Sequence, residues 1–141
     1  ARPSPRSPSS AVDEPRWVSK EALRLLHKGG LRRFGGADGV RDEGLLDSAL
    51  VRPQNRFAYE AESDLCRLAA SYAAGLAKNH PFIDGNKRAA FAAVGLFLLL
   101  NGMRLTAPQP MATIAMLDLA AGEMTEEEFA TWLRDHTAPR N

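Results

Sequence analysis

The stretch Asn79-His80-Pro81-Phe82-Ile83-Asp84-Gly85-Asn86-Lys87-Arg88-Ala89-Ala90 decides how this chain reads. It sets an imidazole, a carboxylate, an amide, an ammonium and a guanidinium in one tight loop. The segment that follows, Phe91 to Leu100, is almost wholly apolar and closes on Asn101-Gly102. Lacking a clean polar face, it predicts a helix buried on most sides. Pro81 biases Asn79-His80 away from helix, because a residue before proline avoids the α region. Asp84-Gly85-Asn86 predicts a turn feeding the buried helix, with Asp84 or Gly85 near the cap position. The first backbone N–H groups of a helix have no internal partner, and its dipole is positive there. With Lys87 and Arg88 in that first turn, the loop becomes a candidate polyphosphate site. Cations in a first turn act slightly against the helix, which favours a binding role over a stabilising one.

Taken singly, the parts say little. His80 alone reads as a surface or hydrogen-bonded structural histidine, and Lys87 and Arg88 alone as solvated charges. The full string at fixed spacing, leading into a buried helix, carries the functional reading. His-Pro-Phe-x-Asp-Gly-Asn-Lys-Arg resembles the signature of the Fic/Doc superfamily. Lys87 after Gly85-Asn86 resembles the Doc (death-on-curing toxin) branch. Adenylyl-transferring Fic enzymes usually carry a second glycine there, and an arginine where this chain has Phe91. The resemblance extends to Arg41-Asp42-Glu43-Gly44-Leu45-Leu46, Arg52-Pro53-Gln54, the helix before His80, Asn101-Gly102 and the segment from Thr125 to Leu133. It implies a compact Fic/Doc-type helical bundle, with the active-site loop feeding a buried central helix.

Transfer of a phosphoryl or nucleotidyl group needs a base, a divalent cation, clamps on the phosphates and exclusion of water. His80 is the natural base, since an imidazole titrates near neutral pH; a positioned base is worth roughly 10²–10⁴-fold. Asp84 is the natural Mg²⁺ ligand, sufficient only if phosphate oxygens and waters complete the octahedron. Asn86 can orient a phosphate oxygen through its amide, beside Gly85. Lys87 and Arg88 can neutralise charge on the transferring group, the arginine bidentately. Phe82 is expected to anchor the loop in the core. In relatives of the Doc type the resemblance implies a nucleotide turned end for end, so that the γ-phosphate of ATP faces the attacked hydroxyl. It thereby implies a Mg²⁺/ATP-dependent protein kinase that blocks translation, with a threonine of elongation factor Tu as its target and a cognate antitoxin as its partner. Two alternatives stay open: AMP transfer to a protein hydroxyl, and a binding module without turnover.

Around the motif the chain predicts helices. Ser19 is a candidate N-cap, with Val18 and Leu23 as a hydrophobic staple. Gly29-Gly30 would normally stop the first helix, whereas the resemblance carries it toward Phe34. Gly35-Gly36-Ala37-Asp38-Gly39 reads as a loop. Asp42 caps a helix expected to run to about Val51 and to end at Pro53. Gln54 to Ala61 reads as irregular; the resemblance places it beside the active site, while Phe57 and Tyr59 could equally pack on the core. Ser63 is expected to cap a helix from Asp64 to about Lys78, with Leu65, Leu68, Ala69, Tyr72 and Leu76 at helical spacing. Met103 to Pro110 reads as extended, followed by a helix from Met111 to Ala121 that Gly122 stops. Thr125 and Glu128 form a candidate capping box, with Phe129, Trp132 and Leu133 facing inward. No strand-like alternation of useful length appears, so the expected fold class is all-α.

The chain has 141 residues, 45% hydrophobic and 25% charged, ordinary values for one globular domain. A net charge of +1 gives no global field for nucleic acid or a membrane surface, so any anion site is local. The one cysteine, Cys66, sits in an apolar helical pattern and reads as a small buried hydrophobe. No stretch is long and apolar enough to span a bilayer, and the N-terminus lacks an apolar signal region. These features fit a soluble cytoplasmic protein. Residues 1–15 are Pro/Ser/Arg-rich and read as a flexible tail, with residues 16–141 forming one Fic/Doc-like domain. Many Fic enzymes silence themselves with a Ser/Thr-x-x-x-Glu-Gly/Asn helix. The nearest approach is Ser10-Ala11-Val12-Asp13-Glu14-Pro15, where proline replaces the last residue. Control by a separate antitoxin segment is therefore the expectation.

Overall fold

From Leu68 to Ala77, every residue of one helix is buried. This helix, α3 (Leu65–Asn79), is the axis of the computed structural model, which describes residues 13–140. Before it come α1 (Lys20–Phe34) and α2 (Glu43–Glu60); after it come α4 (Asn86–Leu100), β1 (Met103–Leu105), α5 (Gln109–Ala121), α6 (Glu126–Asp135) and β2 (Thr137–Pro139). The alanines of α3 let its neighbours α2, α4 and α6 come close. At Gly75 an added Cβ would already lie 3.4 Å from the Ala49 backbone of α2. Tyr72 occupies the centre, its ring 5.3 Å from that of Phe97 on α4, with Trp17 stacked on Phe97 at 5.8 Å. Its hydroxyl accepts from Val18 N at 2.9 Å, and burial pushes its pKa up to about 12. Cys66 is buried, which raises its thiol pKa, as befits a small core residue.

Several caps stand where the sequence puts them. Ser19, Asp42 and Thr125 each accept from a backbone N–H in the first turn, and Glu128 completes the capping box. Helix α1 runs through Gly29-Gly30 to Phe34. The cap of α3 is Asp64, one residue beyond Ser63, and α5 starts at Gln109 with Pro110 inside its first turn.

Two expectations are corrected. Helix α2 does not end at Pro53 but continues to Glu60. A proline inside a helix costs about 3 kcal/mol, yet the Pro53 ring is among the most deeply buried side chains and helps fill the core. Arginines on either side of it also grip one carboxylate. Arg52 reaches Glu126 at 2.6 Å and Ser71 Oγ at 2.9 Å, and Arg56 reaches Glu126 at 2.8 Å. Tertiary anchoring outweighs the local break.

The second correction concerns the all-α class. The fold is mostly helical, but β1 and β2 pair antiparallel, Met103 with Pro139 and Leu105 with Thr137. Strands of three residues are too short to show an alternating pattern. Most of the expected tail, residues 1–12, lies outside the described residues; 13–15 have no regular structure.

Asp64 joins cap and ion pair. Its carboxylate accepts from Cys66 N and Arg67 N and pairs with Arg134 of α6. Partial burial alone would raise its pKa, but these partners together hold it below the ordinary value. Asp64→Asn keeps the cap and loses the charge, so wild type should be the more stable at pH 7 by about 0.2–1 kcal/mol. A depressed folded pKa makes that advantage complete above roughly pH 4, the unfolded value. Urea unfolding at stepped pH should show the gap closing as pH falls through the folded pKa.

Candidate active site

The site lies where α3 hands over to α4, in residues 80–85. His80 ends α3 in the left-handed region (φ 48°, ψ 55°), and Pro81 prevents further helix. The stranded carbonyls of Asn79 and His80 both accept from the Arg41 guanidinium, each at 2.7 Å. Pro81 O takes the backbone N–H groups of Arg41 at 2.7 Å and Asp42 at 3.1 Å. Phe82 bridges Val40, and Ile83 N donates to Gly39 O at 3.0 Å. The loop is thus bolted to residues 39–42, just ahead of α2.

Inside the loop, the Phe82 ring is 1% exposed and anchors the turn in the core. Asn86 closes the turn. Its Oδ1 accepts from Phe82 N and its Nδ2 donates to Phe82 O, both at 2.9 Å, with the residue buried. Both polar atoms of that amide are engaged within the fold. Gly85, in the left-handed region (φ 76°), is the N-cap of α4 and supplies no side chain to cap it. The opening N–H groups of α4 therefore remain for an outside acceptor.

Outward, the chemistry is exposed. The Asp84 carboxylate accepts from Gly85 N at 2.8 Å through Oδ1, and Ala37 N is 3.4 Å from Oδ2. A side chain at Gly36 would put its Cβ 2.7 Å from that Oδ2 and displace the carboxylate, and the φ of 122° itself favours glycine there. The Arg88 guanidinium donates to Gly35 O at 3.1 Å and lies over the Phe34 ring at 5.1 Å. Among the described residues, neither Lys87 nor Arg88 has a carboxylate partner. His80, Asp84, Lys87 and Arg88 are all exposed. Beside Gly85, Lys87 and Arg88 opens a cleft of about 440 Å³ between α1, α4 and α5, with Leu31, Phe34, Phe91 and Met116 in its walls.

Sequence reasoning missed two supports. Arg41 stood out only as part of a longer resemblance, and its grip on the α3 terminus is non-local. His27 carries no motif signal in the sequence, but it is buried and bonded to the loop. Its place between Leu23 and Leu31, four residues from each on the buried stripe of α1, was the available signal.

The segment flanking the site is also not the one expected. Residues 54–60 belong to the far end of α2, with Ala61 as its C-cap, about 22 Å along the helix from Asp42 to Phe57 at 1.5 Å per residue. There Phe57 meets Trp17 edge-on at 5.9 Å, and Tyr59 is 84% exposed. Residues 35–41 flank the site instead.

A profile of the Fic/DOC family matches residues 17–98, which span α1 to the last turn of α4 and include every loop residue described above. The chain belongs to the Fic/DOC family. A relative from Escherichia phage P1, named protein kinase doc, is 35% identical over 119 residues, covering 84% of this chain and 94% of the relative. Another, named toxin Doc, from Mycolicibacterium smegmatis (strain ATCC 700084 / mc(2)155), is 48% identical over 75 residues, 52% of this chain and 58% of the relative. The phage alignment is longer than the stretch matched by the Fic/DOC profile.

In this Fic/DOC loop the inward amide is open to a direct test. Asn86→Ala leaves the N–H and C=O of buried Phe82 without their partner. Each such orphan costs about 1–3 kcal/mol, so urea unfolding should show a stability loss of at least that size. Asn86→Asp, which keeps an acceptor for Phe82 N, should lose less.

Proposed function

We propose that this chain is the toxin of a toxin–antitoxin pair and works as a Doc-type protein kinase. It would pass the γ-phosphoryl group of ATP to a protein hydroxyl, a threonine of elongation factor Tu by the family resemblance, and so block translation in the cytoplasm. The observation that carries this reading is the outward face of the loop. His80 and Asp84 in the turn and Lys87 and Arg88 in the first turn of α4 are all exposed beside an uncapped helix N-terminus, in a chain aligned over 94% of a relative named protein kinase doc.

The roles follow from the chemistry of each group. The His80 imidazole takes the proton of the attacking hydroxyl as oxygen bonds to the γ-phosphorus and the bond to the β-phosphate oxygen breaks. Lys87 and Arg88 face the negative charge on the phosphates, with the N–H groups of α4 behind them. Asn86, tied to Phe82, acts by keeping the turn in shape. Gly85 lets the chain turn without a side chain between α4 and the phosphates.

Among the described residues there is no cluster of three or more His, Cys, Asp or Glu to enclose a metal. Asp84 is a lone, exposed carboxylate with one oxygen weakly engaged. Such a donor fits Mg²⁺, which takes one or two carboxylates and fills its remaining positions with phosphate oxygens and water. Mg²⁺ held there would offset phosphate charge as the group transfers.

Control fits a partner in trans. Glu14, the carboxylate of the nearest self-inhibiting pattern, bonds Trp17 Nε1 at 2.7 Å, while Ser10 lies outside the described residues. The apolar cleft between α1, α4 and α5 opens beside Arg88 and suits an antitoxin segment that folds on binding.

Incubation with labelled ATP in bacterial lysate tests the reaction. Label at the γ position should pass to one protein, and label at the α position should not. His80→Ala should abolish transfer with the fold intact. Transfer of the α label would make the chain an adenylyltransferase, and nucleotide binding without transfer would make it a silent module. Asp84 does not cap α4, so Asp84→Ala should leave the melting temperature nearly unchanged while removing Mg²⁺-dependent nucleotide binding. A lowered melting temperature with unchanged Mg²⁺ dependence would remove Asp84 from the metal role.

A further inference from the structure

We propose that His27 is the positioning residue for the Asp84 carboxylate, acting through the single peptide group that joins Asp84 to Gly85. Only the use to which the carboxylate is put rests on the kinase reading. The hydrogen-bond relay stands on the geometry alone.

His27 is 5% exposed in the middle of α1, with Leu23 and Leu31 buried four residues away on either side. An apolar residue would pack there at less cost, because a buried polar ring needs a partner. The ring has one. Its Nε2 lies 2.7 Å from the carbonyl oxygen of Asp84. A carbonyl only accepts, so Nε2 carries the hydrogen, and a neutral ring is the Nε2–H tautomer. Face-to-face stacking on Phe82, with centroids 3.8 Å apart and planes at 11°, fixes the direction in which that hydrogen points.

The carbonyl that His27 holds and the Gly85 N–H are the two ends of one planar peptide group. The far end donates to Asp84 Oδ1 at 2.8 Å. Holding the oxygen therefore aims the hydrogen, and the hydrogen holds the carboxylate. Gly85 is in the left-handed region at φ 76°, where glycine has little barrier to rearrangement, so an unrestrained peptide could rotate and release Oδ1. His27 prevents that rotation from a different helix. It is a positioning residue and touches no reacting atom.

Two variants of the full chain separate positioning from packing. His27→Met keeps bulk and removes the donor. His27→Gln places an amide N–H near the position of Nε2. Amide hydrogen exchange at Gly85 reads the relay without any catalysis, and should rise about tenfold or more in the Met variant and stay near wild type in the Gln variant. The Mg²⁺ concentration that half-saturates ATP binding, followed by calorimetry, should rise about tenfold in the Met variant, the lower end of the effect of removing an outer-shell partner. The Gln variant should recover most of that loss. Equal losses in both variants, or an unchanged Gly85 exchange rate in the Met variant, would overturn the proposal. Should the Met variant fail to fold, nitrogen NMR of the wild-type ring decides, since an Nε2 without a hydrogen is incompatible with the relay. If wild type transfers no phosphate, the kinase reading falls, while Gly85 exchange and the ring tautomer still judge His27.

Discussion

The two consecutive helices α3 and α4 are both largely buried, and the chain must turn between them in residues 80–85. Such a turn cannot bury its own backbone without partners, because an unpaired buried peptide group costs more than a hydrogen bond returns. The structure meets this constraint from three directions. Arg41 covers the carbonyls that end α3, residues 39–42 pair with Pro81 to Ile83, and Asn86 reaches back to both polar atoms of Phe82. Each of these bonds meets the turn from its inner or flanking side. The outer side keeps His80, Asp84, Lys87 and Arg88 accessible on a frame that cannot drift. Rigidity and exposed charge both come from residues 80–88, the turn and the first residues of α4, because satisfaction of the backbone is separated from the charged side chains.

Where information was local, the sequence was enough. Ser19, Asp42 and the Thr125–Glu128 pair are short-range devices, and each is visible as a residue type a few positions before an apolar run. The motif loop and the buried helix behind it were equally legible, since Phe91 to Leu100 has no polar face to misread. Non-local effects were hidden. Helix α2 passes Pro53 because the Glu126 carboxylate, about seventy residues later, grips Arg52 and Arg56. The β1–β2 ribbon joins segments more than thirty positions apart, neither long enough to show a period. The face that Asn86 turns inward depended on Phe82 lying within reach of both amide atoms. A residue type can suggest a ligand, but only the fold shows whether its polar atoms are already engaged.

Charge is distributed with a similar division. A net charge of +1 hides two populations of cations. At the junction of α2, α3 and α6, Arg52, Arg56, Arg67 and Arg134 each meet a carboxylate. That network ties α6 across the bundle, and its arginines have little field left to offer a ligand. Among the described residues Lys87 and Arg88 have no such neutralisation, and Arg88 is steered by the Gly35 carbonyl and the Phe34 ring, which orient a guanidinium without cancelling its charge.

Leaving those cations unpaired works against the helix that bears them. Two positive side chains sit in the first turn of α4, at the positive end of its dipole and with no side-chain cap, an arrangement that costs several tenths of a kcal/mol or more. Local propensity alone would place an acid or a serine there. The helix tolerates the cost because its stability comes from elsewhere. Ala89, Ala90, Ala93, Val94, Phe97 and Leu98 are buried against the core, and burying even one large apolar side chain is worth about 1.5–3 kcal/mol. A helix held by its buried length can have an electrostatically unfavourable N-terminus, and an incoming polyanion reverses the sign of that term. The same positive field that weakens the helix end would favour a phosphate ligand, so on the proposed kinase reading the local violation of helix rules marks the candidate site.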